Sequence, residues 1–196
     1  MSDSTHKFKR LVLSGSSGTG KTTIIRLLEE RGARTIKELI RELVRESGLK
    51  INQEGTLGTQ ALLFDIYMDR LSKGGWDISD RGMTDVIGYT GWLLDHAEAK
   101  GTSKYDVEKE YFREQEALRK FYKEHPEIGF VFFPIEFDIV PDGVRSTDPE
   151  YQRQVSGHIR GFMDSIGMDY LTIHGSPQER LEQILSWSGI ILPGED

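Results

Sequence analysis

The sequence predicts a three-layer α/β domain in which a parallel sheet of about five strands carries helices on both faces. Three observations support this. Short apolar runs alternate along the chain with segments whose apolar residues recur at helical spacing. The most apolar run, Gly129 to Ile135, is uninterrupted, as a strand covered on both faces requires. A glycine-rich turn joins the first strand directly to the first helix, which is the start of a strand-helix-strand crossover.

Taken in order, Lys9 to Ser14 reads as a strand, and the helix from about Lys21 to Arg31 turns Ile24, Ile25, Leu27 and Leu28 inward. Ile36, Leu39, Ile40, Leu43 and Val44 share helical spacing and predict a helix ending near Gly48. A polar loop over Ile51 to Gly58 precedes a helix from Thr59 to Ser72, and Trp76 to Ser79 is a short strand. Thr84 to Lys100 is helical, with Val86, Ile87, Trp92, Leu93 and Leu94 available for burial. Asp106 to Glu124 is a helix whose many charges read as a solvated face. After the Gly129 strand come a turn-rich loop from Asp142 to Pro149, a helix from Glu150 to Ile166, a strand from Tyr170 to Ile173 and a closing helix from Gln178 to Trp187.

A chain of 196 residues, with 29% charged and 37% hydrophobic, has the size and composition of one globular domain. No cysteine is present, which rules out disulfides, thiolate catalysis and the common zinc ligand sets. His6, His96, His125, His158 and His174 lack metal-ligand spacing. The net charge of −7 offers no broad basic field for a nucleic acid backbone, so nucleic acid is a disfavoured partner. No apolar run approaches the roughly 18 residues that span a bilayer, and Met1 to Arg10 lacks an apolar signal core. A cytoplasmic protein without a membrane partner is expected.

Gly15-Ser16-Ser17-Gly18-Thr19-Gly20-Lys21-Thr22 matches the Walker A pattern and stands between a strand and a helix, where that pattern has to stand. Its glycines permit backbone conformations that aim successive N–H groups at phosphate oxygens, and the helix N-terminus adds its positive dipole end. The run through Thr23 is therefore expected to hold the phosphates of ATP, with Lys21 on the β and γ groups and the Thr22 hydroxyl as a Mg²⁺ ligand. GTPase signatures do not fit: Asp85-Val86-Ile87-Gly88 lies inside a helix, and Ser103-Lys104-Tyr105-Asp106 follows no strand. Asp80-Arg81-Gly82 stands at the carboxyl end of a strand, where open α/β sheets bind ligands. Asp80 is a candidate Mg²⁺ ligand and Arg81 a candidate phosphate clamp.

The segment Asp80-Arg81-Gly82-Met83-Thr84-Asp85-Val86-Ile87-Gly88-Tyr89-Thr90 resembles the thymidylate kinase motif Asp-Arg-Tyr/Phe-x-x-Ser-x-x-Ala-Tyr-Gln. Asp80, Arg81 and Tyr89 fit it, while Gly82, Asp85 and Thr90 depart, so thymine recognition does not carry over. The chain also resembles small AAA-type kinases related to ribosylnicotinamide kinase, which place Glu-x-x-Arg after the first helix; Glu38 and Arg41 match that spacing. Three apart on one helical face, they suit proton acceptance from an acceptor hydroxyl and phosphate binding, respectively. Both families carry a lid after the fourth strand, and residues 142–160 occupy that place, with Arg145 as the residue that would neutralise the moving phosphoryl group. Gln60, Phe64, Tyr67 and Arg70 fall where relatives line the acceptor pocket, with Phe64 placed to stack on a base. The loop around Gly175, Ser176 and Pro177 is similar in place to the adenine loop of such kinases.

The resemblance thus implies an ATP- and Mg²⁺-dependent kinase in a P-loop NTPase fold. Lys21, Glu38, Asp80, Arg81 and Arg145 are its expected catalytic residues, and Arg41, Phe64 and Arg81 its expected acceptor contacts. A nucleoside or nucleoside monophosphate is the expected acceptor; a nucleic acid, at a 5′-hydroxyl end or a modified base in DNA, or a regulatory nucleotide switch without an acceptor, are the alternatives. A homodimer is compatible with the resemblance, since related kinases often pair through helices.

Overall fold

The computed structural model describes residues 7–37, 50–138 and 146–192. Five strands form one parallel sheet in the order β2-β3-β1-β4-β5: β1 Arg10–Ser14, β2 Thr35–Ile36, β3 Ile78–Asp80, β4 Ile128–Phe132 and β5 Tyr170–Thr172. The described α-helices are α1 Lys21–Glu29, α2 Leu57–Ser72, α3 Met83–Asp95, α4 Lys104–Glu124, α5 Pro149–Ser165 and α6 Pro177–Ser188. This is the expected three-layer P-loop NTPase architecture.

The strand period of two sorts side chains onto the two faces. Val12 of β1 joins Phe130 and Phe132 of β4 in a core shared with α2, α3, α4 and α5. Leu11 and Leu13 point the other way, meeting Val131, Phe133 and Ile173 beneath α1 and α6. Both faces of the central strands are buried, which explains why β1 and β4 read as unbroken apolar runs.

Local chemistry sets the helix ends. Thr56 accepts from the Thr59 amide at the start of α2, Ser103 from Asp106 at α4, and Asp148 from Glu150 and Tyr151 at α5. Ser176 and Glu179 form a capping box on α6, with Pro177 in the first turn. Helix α1 differs: it starts at Gly20 with neither a side-chain cap nor an acidic residue in its first turn.

Two expectations are corrected. Ile36 belongs to an edge strand, not to the start of a helix; two residues are too short to show any period, and the pattern that joins Ile36 to Leu39 and beyond masked it. The remainder of that helix, like the Asp142 to Arg145 part of the loop, lies outside the described residues. The charged helix α4 does present most of its charges to water, but Glu114 is fully buried. Among the described residues, no helix is long and apolar enough to cross a membrane.

Candidate active site

Strand β1 ends where the glycine-rich loop begins, so the loop sits at the middle of the sheet's carboxyl edge. Gly15 adopts a φ of 146°, and a Cβ there would lie 2.6 Å from the Phe133 carbonyl oxygen. A side chain is excluded twice over, by dihedral and by space. Gly18 and Gly20 are also left-handed, and the chain then enters α1, whose first residues, Lys21 to Ile24, line the cleft.

Lys21 is almost fully buried, and its Nζ donates to the Gly15 carbonyl at 2.5 Å, the Ser16 carbonyl at 2.7 Å and Thr19 Oγ1 at 3.2 Å. Its ammonium therefore caps the loop from within. Thr19 Oγ1 donates to the Ser16 carbonyl at 3.0 Å, while the buried Ser16 hydroxyl has no hydrogen-bond partner among the described residues. A preformed loop of this kind, with its lysine already folded across it, fits a triphosphate.

The adjoining β3 end is built with equal care. Arg81 is held at a φ of 79°, an uncommon conformation for a residue with a Cβ. Its amide donates to the Leu13 carbonyl at 3.0 Å, and Ser79 Oγ donates to its carbonyl at 2.7 Å. The buried guanidinium reaches the Gly15 carbonyl at 3.1 Å, Asp85 Oδ1 at 3.0 Å and Ser17 Oγ at 3.2 Å. Asp85 also accepts from the Gly15 amide at 3.2 Å and the Gly82 amide at 3.3 Å. One carboxylate thus joins the phosphate loop, Arg81 and the start of α3.

A cleft of about 250 Å³ opens over this region. Gly18 to Ile24, Asp80 and Arg81 line one part, and Phe137, Asp138, Pro177 and Arg180 the other. Thr22 and Asp80 therefore share a wall suited to Mg²⁺, with a hydroxyl and a carboxylate as oxygen donors. No cluster of three His, Asp or Glu side chains suited to a metal occurs among the described residues, and the P-loop chemistry requires none.

The predicted residues divide into three groups. Gly15, Ser16, Ser17, Gly18, Thr19, Gly20, Lys21, Thr22 and Thr23 form the loop and the first turn of α1, and Asp80 and Arg81 lie beside them. Glu38, Arg41 and Arg145 fall outside the described residues. Phe64 is enclosed in the core, with the Arg113 guanidinium 5.3 Å from its ring centre, so a stacking base has no access to it.

Arg180 is the principal residue that sequence reasoning passed over. It is 1% exposed, and donates to the Thr19 carbonyl at 2.7 Å, the Gly175 carbonyl at 2.9 Å and Glu136 Oε2 at 2.5 Å. A signal existed: Arg180 precedes Ile184 by four residues and so lies on the apolar stripe of α6. Partial burial opposes ionisation of Glu136, but hydrogen bonds from Arg180, His174 and the Gly175 amide outweigh it and hold its carboxyl down at about 2.

A family model described as an AAA domain matches residues 10–180. Among solved structures, the chain is similar to the NadR protein in complex with NAD and AMP-PNP, with a TM-score of 0.67 and 14% identity over 95% of this chain and 51% of that one. A second NadR structure, in complex with NR, gives a TM-score of 0.67 and 15% identity, covering 95% and 52%. Deoxyadenosine kinase from M. mycoides, with dCMP and dCDP bound, gives 0.60 and 13%, covering 91% and 97%. This chain spans about half the length of the NadR chains. No curated protein matches it in sequence.

Proposed function

The chain belongs to the AAA domain family, and from that premise we propose that it is an ATP- and Mg²⁺-dependent kinase acting on a nucleoside or nucleoside monophosphate. One observation carries the proposal: a glycine-shaped loop, a lysine, a threonine hydroxyl and the Asp80 carboxylate converge on one cleft at the mouth of β1. The similarity in fold to deoxyadenosine kinase and to NadR supports the nucleotide direction.

In this reading the loop amides and the N-terminus of α1 bind the β and γ phosphates. Lys21 exchanges its carbonyl contacts for phosphate oxygens, and its charge then offsets the charge of the moving group. Thr22 and Asp80 would hold Mg²⁺, which would supply positive charge to offset that of the triphosphate. Arg81, fixed by Asp85, keeps the loop in register beside the cleft that it helps to line. Glu38 accepts the proton of an acceptor hydroxyl, Arg41 binds acceptor phosphate, and Arg145 stabilises the transferring group.

The test is to incubate the protein with Mg²⁺ and γ-labelled ATP in the presence of nucleosides, nucleoside monophosphates, ribosylnicotinamide and oligonucleotides. Label should appear in a nucleoside or a monophosphate. Label confined to oligonucleotides would transfer the assignment to a nucleic acid kinase. Hydrolysis indifferent to every acceptor would overturn the kinase reading.

A further inference from the structure

A phosphate loop binds through its amides, so whatever fixes each peptide plane decides where each amide points. In a trans peptide the C=O of one residue and the N–H of the next are directed oppositely. The described peptide bonds are trans, and the carbonyls of Gly15, Ser16, Ser17 and Thr19 all accept hydrogen bonds from side chains. Lys21 holds those of Gly15 and Ser16, the contacts it exchanges for phosphate in the kinase reading. Ser17 and Thr19 are held by distant residues instead. Gln152 Nε2 donates to the Ser17 carbonyl at 2.6 Å across 135 positions, and Arg180 Nη1 to the Thr19 carbonyl at 2.7 Å across 161.

Gln152 is 5% exposed and stands in the first turn of α5. Its amide donates to the Asp148 carbonyl at 3.1 Å. The preceding Tyr151 meets Trp92 edge to face at 4.7 Å between ring centres, and Tyr89 at 6.2 Å. Helices α3 and α5 run so close that a Cβ on Gly88 would lie 2.3 Å from Ile159 Cγ1, and one on Gly91 2.7 Å from His158 Nδ1. A helix pinned to α3 therefore delivers the Gln152 side chain to the loop. From another direction, Arg81 Nη2 donates to Ser17 Oγ at 3.2 Å, and the Tyr89 hydroxyl lies 3.3 Å from the same oxygen. Ser17 is thus held by its side chain and by its carbonyl.

The next residue explains why the carbonyl needs holding. Gly18 has a φ of 79° and no Cβ to oppose rotation of the Ser17–Gly18 peptide, so a hydrogen bond must supply the restraint. With the Ser17 oxygen held toward α5, the Gly18 N–H is directed the opposite way, and Gly18 lines the cleft.

We propose that Gln152 is a positioning residue for phosphate binding: by anchoring the Ser17 carbonyl it aims the Gly18 amide at the triphosphate. This rests on the phosphotransferase reading of the cleft and adds to it a residue that acts through the loop backbone. The anchor does not depend on Lys21, so it persists when the lysine turns to phosphate.

The experiment titrates Mg²⁺ with tripolyphosphate, and Mg²⁺ with ATP, into the full chain and its Gln152→Met and Gln152→Glu variants, each carrying glycine-selective isotope labels for amide NMR. At neutral pH both replacements keep the length of glutamine and remove the donor. Loss of one neutral hydrogen bond should weaken tripolyphosphate about fivefold. Ligand should shift the Gly18 and Gly20 amide signals of the parent. In the variants the Gly18 response should shrink, while that of Gly20, whose peptide Arg180 holds, persists. Parent-like affinity in both variants overturns the inference. So does an equal loss of the two glycine responses, which would make Gln152 a general support of the fold. If neither variant folds, the parent still decides: tripolyphosphate bound with the Gly18 signal unmoved overturns the inference. A parent that takes up neither ligand overturns the reading of the cleft itself, so the two failures are distinct.

Discussion

Replacing Asp85 by alanine should strip the phosphate loop of its main electrostatic anchor. The carboxylate is 2% exposed and pairs with an Arg81 guanidinium that is 3% exposed, at 3.0 Å. It also accepts the Gly15 and Gly82 amides. Removing it leaves a buried cation beside the neutral Gly15 carbonyl and Ser17 hydroxyl, with the counter-charge at its closest ion pair gone. Breaking a buried pair from one side costs about 3–5 kcal/mol. For a chain of this size that corresponds to a fall in melting temperature of roughly 6–20 °C. Thermal or urea unfolding at neutral pH measures it. The double variant Arg81→Met with Asp85→Leu strands no charge and should be more stable than Asp85→Ala alone. A loss under about 1 kcal/mol in Asp85→Ala, or a double variant less stable than the single one, would refute the reasoning.

Two further predictions concern the packing around α3. Burial pushes the Glu114 carboxyl up to about 8, outweighing Thr90 and Arg113, which favour its charge, while Glu110 and Asp65 reinforce the rise. Between its ordinary value of 4.5 and 8 the folded protein keeps a proton that the unfolded chain releases, so stability falls as pH rises through that window. Glu114→Gln should therefore raise the melting temperature at pH above 8 far more than near pH 5; an equal gain at both would contradict the burial argument. Gly88→Ala would place a Cβ 2.3 Å from Ile159 Cγ1 and 3.1 Å from the Val155 carbonyl oxygen. Overpacking at this α3–α5 contact should cost about 1–3 kcal/mol despite the better helix propensity of alanine, and a more stable variant in chemical denaturation would show that the contact relaxes.

What was legible in the sequence was local. The phosphate loop and its strand and helix are specified by residues within a few positions of one another, and β1 and β4 declare their double burial by composition. Strand β2 was lost because two residues carry no period. Asp85 reaches the loop across 70 positions and Arg180 across 161. In sequence, such charges look like any solvated ones. Glu114 shows that some were recoverable: it lies seven residues after Val107 and four before Leu118, on the apolar stripe of an otherwise polar helix. A charge at a stripe position is the sign of a buried ionisable group. The same pattern marks Arg180, which shares its stripe with Ile184.

Calorimetric titration of ATP with Mg²⁺ into the folded protein tests the account at its root. Saturable one-to-one uptake is expected, and it should vanish in Lys21→Ala while cooperative unfolding of that variant persists. Heat of binding unaffected by loss of Lys21, or none at all from the folded parent, would contradict the assignment of the cleft.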